Sequence, residues 1–128
     1  MHRARVLVVE KSRDHADTLV MLFESVGCVP LWATNPDAAM GLIRAHKPDV
    51  LVIEDDVPMA GAVIRAVREE NRLGALVVCV TARQQDVPGR GGQCDVRLLK
   101  PYEFEHIWSA IGHFVAHREE EKRRSNGH

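Results

Sequence analysis

The chain predicts an α/β fold, a doubly wound parallel sheet covered by helices on both faces. Two runs carry most of that expectation: Val6-Leu7-Val8-Val9 and Ala75-Leu76-Val77-Val78-Cys79-Val80 are unbroken, apolar and β-rich. Strands read this way when both faces are buried, as in parallel sheets. Between such runs lie stripes with helical spacing, and strict strand/helix alternation implies βαβ units. At 128 residues the chain is one domain's worth, large enough for a sizeable core without staples.

The first strand is followed by Leu19, Leu22, Phe23 and Val26, a helical stripe that stops at Gly27. Val29 to Ala33 forms the second strand. Thr34-Asn35-Pro36 then supplies a cap and a first-turn proline for a helix with Ala39, Leu42, Ile43 and His46 on one face, ending before Pro48. Asp49 to Ile53 is the third strand. A third helix is expected from Ala62 to Asn71, with Val63, Ile64 and Val67 inward and Leu73-Gly74 closing it. Ala75 to Val80 and Asp95 to Leu99 are strands four and five. Phe104, Ile107, Trp108, Ile111 and Val115 mark a final amphipathic helix, with Trp32 and Trp108 expected in the core or in helix packing.

One segment breaks the rhythm. Arg83 to Cys94 carries Pro88 and three glycines and shows no apolar stripe. Pro costs about 3 kcal/mol and Gly about 1 kcal/mol in a helix interior. The helix due between strands four and five is therefore expected to be a single turn at most, or missing, followed by a mobile loop. The mixed charges from Arg118 onward read as a solubilising helix end that frays. The expected organisation is one domain over residues 1–117 and a charged tail over 118–128.

Composition excludes several classes of function. Hydrophobic residues make up 45% and charged residues 27%, with a formal net charge of −1, so nothing marks an electrostatic nucleic-acid binder. The three cysteines, Cys28, Cys79 and Cys94, are odd in number and lack CxxC spacing. Neither a disulfide framework nor a zinc site is expected, and a reducing compartment fits best. The apolar stretch after the N-terminus is too short for a signal-peptide core or a membrane span. A soluble, cytoplasmic protein without membrane contact is the expectation.

Chemistry-bearing residues collect at the carboxyl ends of the strands, where function gathers in open α/β sheets. Glu10-Lys11 follows the first strand. Glu54-Asp55-Asp56 ends the third, between Pro48-Asp49 and Pro58. Thr81-Ala82 ends the fourth, and Lys100-Pro101-Tyr102 the fifth. Each motif alone is weak; all four in this order resemble the receiver domains of bacterial response regulators, along almost the whole chain. The resemblance implies a flavodoxin-like, CheY-like sheet of five parallel strands in the order 2-1-3-4-5, and a role in two-component or phosphorelay signal transduction. It places Glu54 in the slot of the phosphoacceptor aspartate, since counting on from Pro48 and back from Pro58 both select that position. Glu10 and Lys11 then stand at the first-strand acidic pair, Thr81 and Lys100 at the switch and phosphate contacts, and Arg97 where the family has an aromatic switch.

Those departures bear on the chemistry the resemblance implies. A receiver holds magnesium with a first-strand carboxylate, the acceptor and a backbone carbonyl, here that of Asp56. Magnesium demands near-ideal octahedral oxygen geometry. Lys11 puts an ammonium where an oxygen ligand belongs, and two unit charges at about 4 Å interact by roughly 4 kcal/mol at an effective dielectric near 20. Mg2+ binding is expected to be lost or weak, with no other metal or cofactor, and Lys11 to pair with Glu54 or Glu10. Glu54, one methylene longer than aspartate, pushes its carboxylate toward Thr81 and Lys100 and resembles a constitutive mimic of phospho-aspartate.

The leading expectation is an atypical receiver, a pseudo-receiver and not an enzyme, that acts by protein–protein interaction. Its partner would be a histidine kinase, a phosphotransferase or a downstream effector, with a second copy of the chain as a further candidate. Three alternatives stand beside it. Lys11 and Glu54 form a drifted ion-pair network without signalling meaning; or the chain is a working Mg2+-dependent phosphoreceiver using Asp55 or Asp56; or it is a flavodoxin-like enzyme, for which no nucleophile–base pair is evident. Arg97, with Arg90 and Tyr102, makes either a new partner face or a solvated strand end. His113 and His117 have the i, i+4 spacing of a metal pair without a third ligand, so a solvated face is expected. Gly89-Arg90-Gly91-Gly92 lacks the lysine-threonine ending of a phosphate loop. His15, near the site mouth, is a candidate proton donor.

Overall fold

The computed structural model describes residues 3–81 and 93–126. Nine elements run in chain order: β1 (Arg5–Val9), α1 (Arg13–Ser25), β2 (Val29–Ala33), α2 (Pro36–His46), β3 (Val50–Glu54), α3 (Ala60–Glu70), β4 (Leu76–Thr81), β5 (Val96–Leu99) and α4 (Phe104–Asn126). The strands form one sheet in the order β2-β1-β3-β4-β5, and every neighbouring pair is parallel. This is the expected fold. The segment in which a helix was expected to be shortened or missing, residues 82–92, lies outside the described residues.

Alternation along each strand divides the core in two. Leu7, Val9, Leu51, Ile53, Val77 and Cys79 face α2 and α3, which contribute Ala39, Ile43, Val63, Ile64 and Val67. Val6, Val8, Val50, Val52, Val78 and Val80 face α1 and α4, which contribute Leu19, Phe23, Ile107 and Ile111. Burial of a side chain of this kind is worth about 1.5–3 kcal/mol. The same parity, carried past the strand ends, decides which polar residues share a face of the site.

Local signals set most boundaries. Ser12 and Asn35 cap α1 and α2 by accepting the amides of His15 and Ala38, and Pro36 opens α2. Gly27 and Gly74 follow helices at φ +88° and +91°, a region closed to most side chains. Helix α3 begins at Ala60, two positions before the expected Ala62. Ala60 is itself buried and extends the stripe of Val63, Ile64 and Val67 by one turn, whereas Gly61 reads as a breaker. Trp108, expected in packing, is 37% exposed, and Trp32 is partly buried with its indole N–H donating to the Glu10 carbonyl at 3.1 Å.

Two expectations meet a different structure. Cys79 and Cys94 form a disulfide, with Cα atoms 5.9 Å apart, where none was expected. The odd count hid the pair because the third cysteine, Cys28, is buried in the opposite half of the core. The Asp95 amide donates to the Val77 carbonyl at 2.9 Å, and this bond sets Cys94 beside Cys79. The cysteine count therefore says nothing about compartment. Among the described residues no helix is long and apolar enough to cross a membrane.

The expected boundary between residues 117 and 118 falls inside α4, which continues to Asn126. Arg118 turns back onto the domain instead of into solvent. Its guanidinium donates to Asp49 Oδ1 at 2.6 Å, Asn71 Oδ1 at 2.7 Å and the Gly74 carbonyl at 2.6 Å. Asp49 also accepts the Arg5 amide at 2.9 Å and the Asn71 side-chain amide at 3.2 Å. Burial pushes the Asp49 carboxyl up, but these donors outweigh it and hold it below the usual aspartate range. A charge run in sequence does not reveal one member with a buried partner 69 positions away.

Candidate functional site

Residues at the carboxyl ends of the strands sort by the parity of the strands that carry them. Glu10 continues the phase of Val6 and Val8, Glu54 that of Val50 and Val52, and Lys100 that of Val96 and Leu98. All three therefore arrive on the α1/α4 side. The Lys100 ammonium donates to Glu54 Oε1 and lies 4.0 Å from Glu10 Oε2. Glu10 is buried and held: its Oε1 accepts the Ser12 amide at 2.9 Å, and its own amide donates to the Ala33 carbonyl at 3.1 Å.

Two carboxylates share this corner with one ammonium. Burial pushes Glu54 up from the usual glutamate range, the neighbouring Glu10 carboxyl adds to the rise, and Lys100 works against it. Burial likewise raises Tyr102, followed by the charges of Glu10 and Glu54. His15, in the first turn of α1, brings a ring nitrogen within 4.8 Å of carboxylate oxygens of both Glu10 and Glu54. A cavity of about 480 Å³ opens beside them, lined by Glu10, His15, Leu19, Lys100, Tyr102 and Phe104.

The opposite parity places a second group on the α2/α3 side. Asp55 is buried, and its amide donates to the Val80 carbonyl at 2.9 Å. Arg97, paired in register with Cys79, brings Nη2 to 4.0 Å from Asp55 Oδ2. Its side chain is 24% exposed and turned toward Asp55, so Arg97 is not a solvated strand end. An Asp55 oxygen lies within 4.8 Å of both sulfurs of the Cys79–Cys94 pair. Thr81 is buried at the end of β4, and its carbonyl accepts the Lys100 amide at 2.8 Å.

Lys11 does not make the expected contact with Glu54 or Glu10. It lies 3.8 Å from Asp56, and both side chains are mostly exposed. Lys100 arrives in phase with both glutamates and takes the place expected of Lys11. Among the described residues, each of the four strand-end acids thus has a basic group within 4.0 Å. His117 reaches Glu121 at 3.2 Å, one helical turn on, as a solvated face would have it. Arg90 and the 89–92 glycine run lie outside the described residues.

Sequence reasoning placed Glu10, Glu54, Thr81 and Lys100 at the carboxyl edge of the sheet, and there Lys100 meets Glu10 and Glu54 by its side chain and the Thr81 carbonyl by its amide. It missed the disulfide beside Asp55 and the inward turn of Arg97. The one available signal was parity, since Cys79 and Arg97 face each other in adjacent parallel strands.

No family model matches the chain, and no curated protein matches it. Solved structures do. A response regulator receiver domain (CheY-like) from Methylobacillus flagellatus superposes with a TM-score of 0.73 at 20% identity, covering 86% of this chain and 99% of that one. A response regulator receiver domain protein (CheY-like) from Methanospirillum hungatei gives 0.80 at 13% identity, covering 94% and 99%. A response regulator receiver modulated diguanylate cyclase from Pelobacter carbinolicus gives 0.79 at 16% identity, covering 93% and 97%. At such identities the likeness is one of fold. The fold is the CheY-like receiver fold.

Proposed function

We propose that this chain is a receiver-type module of two-component signalling whose acceptor corner is locked in a charge-paired state without phosphoryl chemistry. The Lys100–Glu54 ion pair carries the reading. The longer glutamate side chain delivers a carboxylate to the ammonium that, in a receiver, would meet a phosphoryl oxygen. Glu10 stands behind Lys100 and completes the corner.

The donor set does not fit magnesium. Glu54 is engaged by Lys100, Asp56 faces Lys11, and Asp55 is turned to the other side of the sheet toward Arg97. A hard divalent ion needs several oxygen ligands converging at about 2.1 Å in octahedral geometry. Here each strand-end carboxylate has a basic neighbour instead, so no step of the proposed function runs through the ion.

A module of this kind works by presenting a fixed surface to a protein partner, a kinase, a phosphotransferase or an effector, in the cytoplasm. Magnesium titration tests the reading, because the Trp32 indole is bonded to the Glu10 carbonyl and reports on this corner. Trp fluorescence and melting temperature should stay flat through millimolar Mg2+. A saturable response that disappears in Asp55→Asn or Asp56→Asn would favour the phosphoreceiver that uses those residues.

A further inference from the structure

We infer that Cys79 and Cys94 form a reversible thiol–disulfide site whose reaction partner is a dithiol/disulfide exchange reagent or protein. Three observations carry it: the unequal exposure of the two sulfurs, the paired carboxylate beside them, and the apolar core around Cys79.

Cys94 is partly exposed at the entry to β5, whereas Cys79 lies 1% exposed inside β4. Thiol–disulfide exchange starts with a thiolate attacking the accessible sulfur, and access decides which sulfur that is. The partner's thiolate attacks Cys94 Sγ; a bond forms between the two sulfurs as the Cys79–Cys94 bond breaks. Cys79 leaves as a thiolate and takes up a proton. The partner's second thiol, deprotonated, then attacks its own sulfur in the mixed disulfide and releases Cys94, which is protonated in turn. The partner has lost two electrons and two protons and ends as a disulfide; the chain has gained both and ends as a dithiol. A disulfide reagent drives the reverse course.

The surroundings suit both forms. An Asp55 carboxylate oxygen lies within 4.8 Å of both sulfurs, and Arg97 pairs with that carboxyl. Reduced Cys79 is the small apolar residue that a core accepts, among Ile53, Val63 and Val77. Strand β4 is also tied to β3 and β5 by parallel backbone pairing, so the sulfur bond is not its sole link to either neighbour. A domain with a full core and a single disulfide also differs from the small secreted domains that need several.

The bond closes a loop between positions 15 apart, beside the Asp55–Arg97 pair. Its redox state thereby sets how tightly the residues leading into β5 are tied to β4. From the loop length, the oxidised form should melt about 10 °C above the reduced form.

The test equilibrates the purified full chain in graded mixtures of reduced and oxidised dithiothreitol, quenches in acid, alkylates under denaturing conditions and counts labels by intact mass. Two labels should be gained on reduction and lost again on reoxidation, with unchanged far-ultraviolet circular dichroism and the lower melting temperature. Cys28→Ala should behave like wild type. Cys94→Ser, at the partly exposed position, should abolish the two-label change and hold the melting temperature at the reduced value in every mixture. Cys79→Ala repeats that test with the buried partner removed. The inference is overturned if the bond yields to reductant only in denaturant, if reduction unfolds the chain, or if oxidant never produces the Cys79–Cys94 link.

Discussion

Lys100 decides the electrostatics of the acceptor corner. Its ammonium pairs with Glu54 and also faces Glu10. Removing its charge leaves burial and Glu10 unopposed, so Lys100→Met should raise the Glu54 carboxyl further, as seen by carbon-detected carboxyl titration. The sign of the stability effect follows from the raised value. The folded form holds the Glu54 proton more tightly than the unfolded form, so this contribution is present below the ordinary glutamate range. It is lost as pH rises through the folded value. Glu54→Gln should flatten that part of the stability profile; an unchanged slope would contradict the assignment. Glu10, Glu54 and Lys100 were legible because each ends an apolar run. The partner of Lys11 was not, because Lys11 lies two residues past the end of β1, where strand parity no longer fixes the direction of a side chain.

Helix α4 is more than a solvated end. Arg118, its side chain 12% exposed, ties the helix to the start of β3 and the end of α3 through Asp49, Asn71 and Gly74. Breaking a buried pair by removing one partner costs about 3–5 kcal/mol. Arg118→Ala, or a chain ending at residue 117, should lose an amount of that order in urea unfolding, while Arg124→Ala, an exposed i, i+4 pair, should lose less than about 1 kcal/mol. Asp49 gives the acid limb of the same contact. Its lowered carboxyl contributes stability that is present above the ordinary aspartate range and lost as pH falls through the folded value. Arg118→Ala should therefore weaken the acid-induced loss as well as the neutral stability. The stripe of Phe104, Ile107 and Ile111 made the helix readable and the charges after it read as its end; the docking of Arg118 was hidden because one buried arginine among exposed charges leaves no periodic mark. The start of α3 was hidden by Gly61 in the same way.

At the scale of the whole molecule, five parallel strands and their order were legible because each βα unit is short, apolar where it meets the sheet, and capped by residues of known habit. Parity then carries strand-end residues to one face or the other, and this is how three of the predicted site residues meet. What stayed hidden were contacts between elements distant in sequence, the Cys79–Cys94 bond and the Asp55–Arg97 pair. The central claim is that Glu54 and Lys11 together remove phosphoryl chemistry from a receiver fold. The most direct measurement incubates wild type, Lys11→Asp, Glu54→Asp and the double variant with a small phosphodonor and Mg2+, and follows acid-stable, base-labile phosphorylation by intact mass. Lys11→Asp restores a hard oxygen ligand but leaves the nucleophile displaced; Glu54→Asp retracts the nucleophile but leaves an ammonium beside the metal position. Wild type and both single variants should stay unmodified, and the double variant should gain a phosphoryl group. Robust modification of wild type that Asp55→Asn abolishes would contradict the account, and would make the buried neighbour of Glu54 the working acceptor.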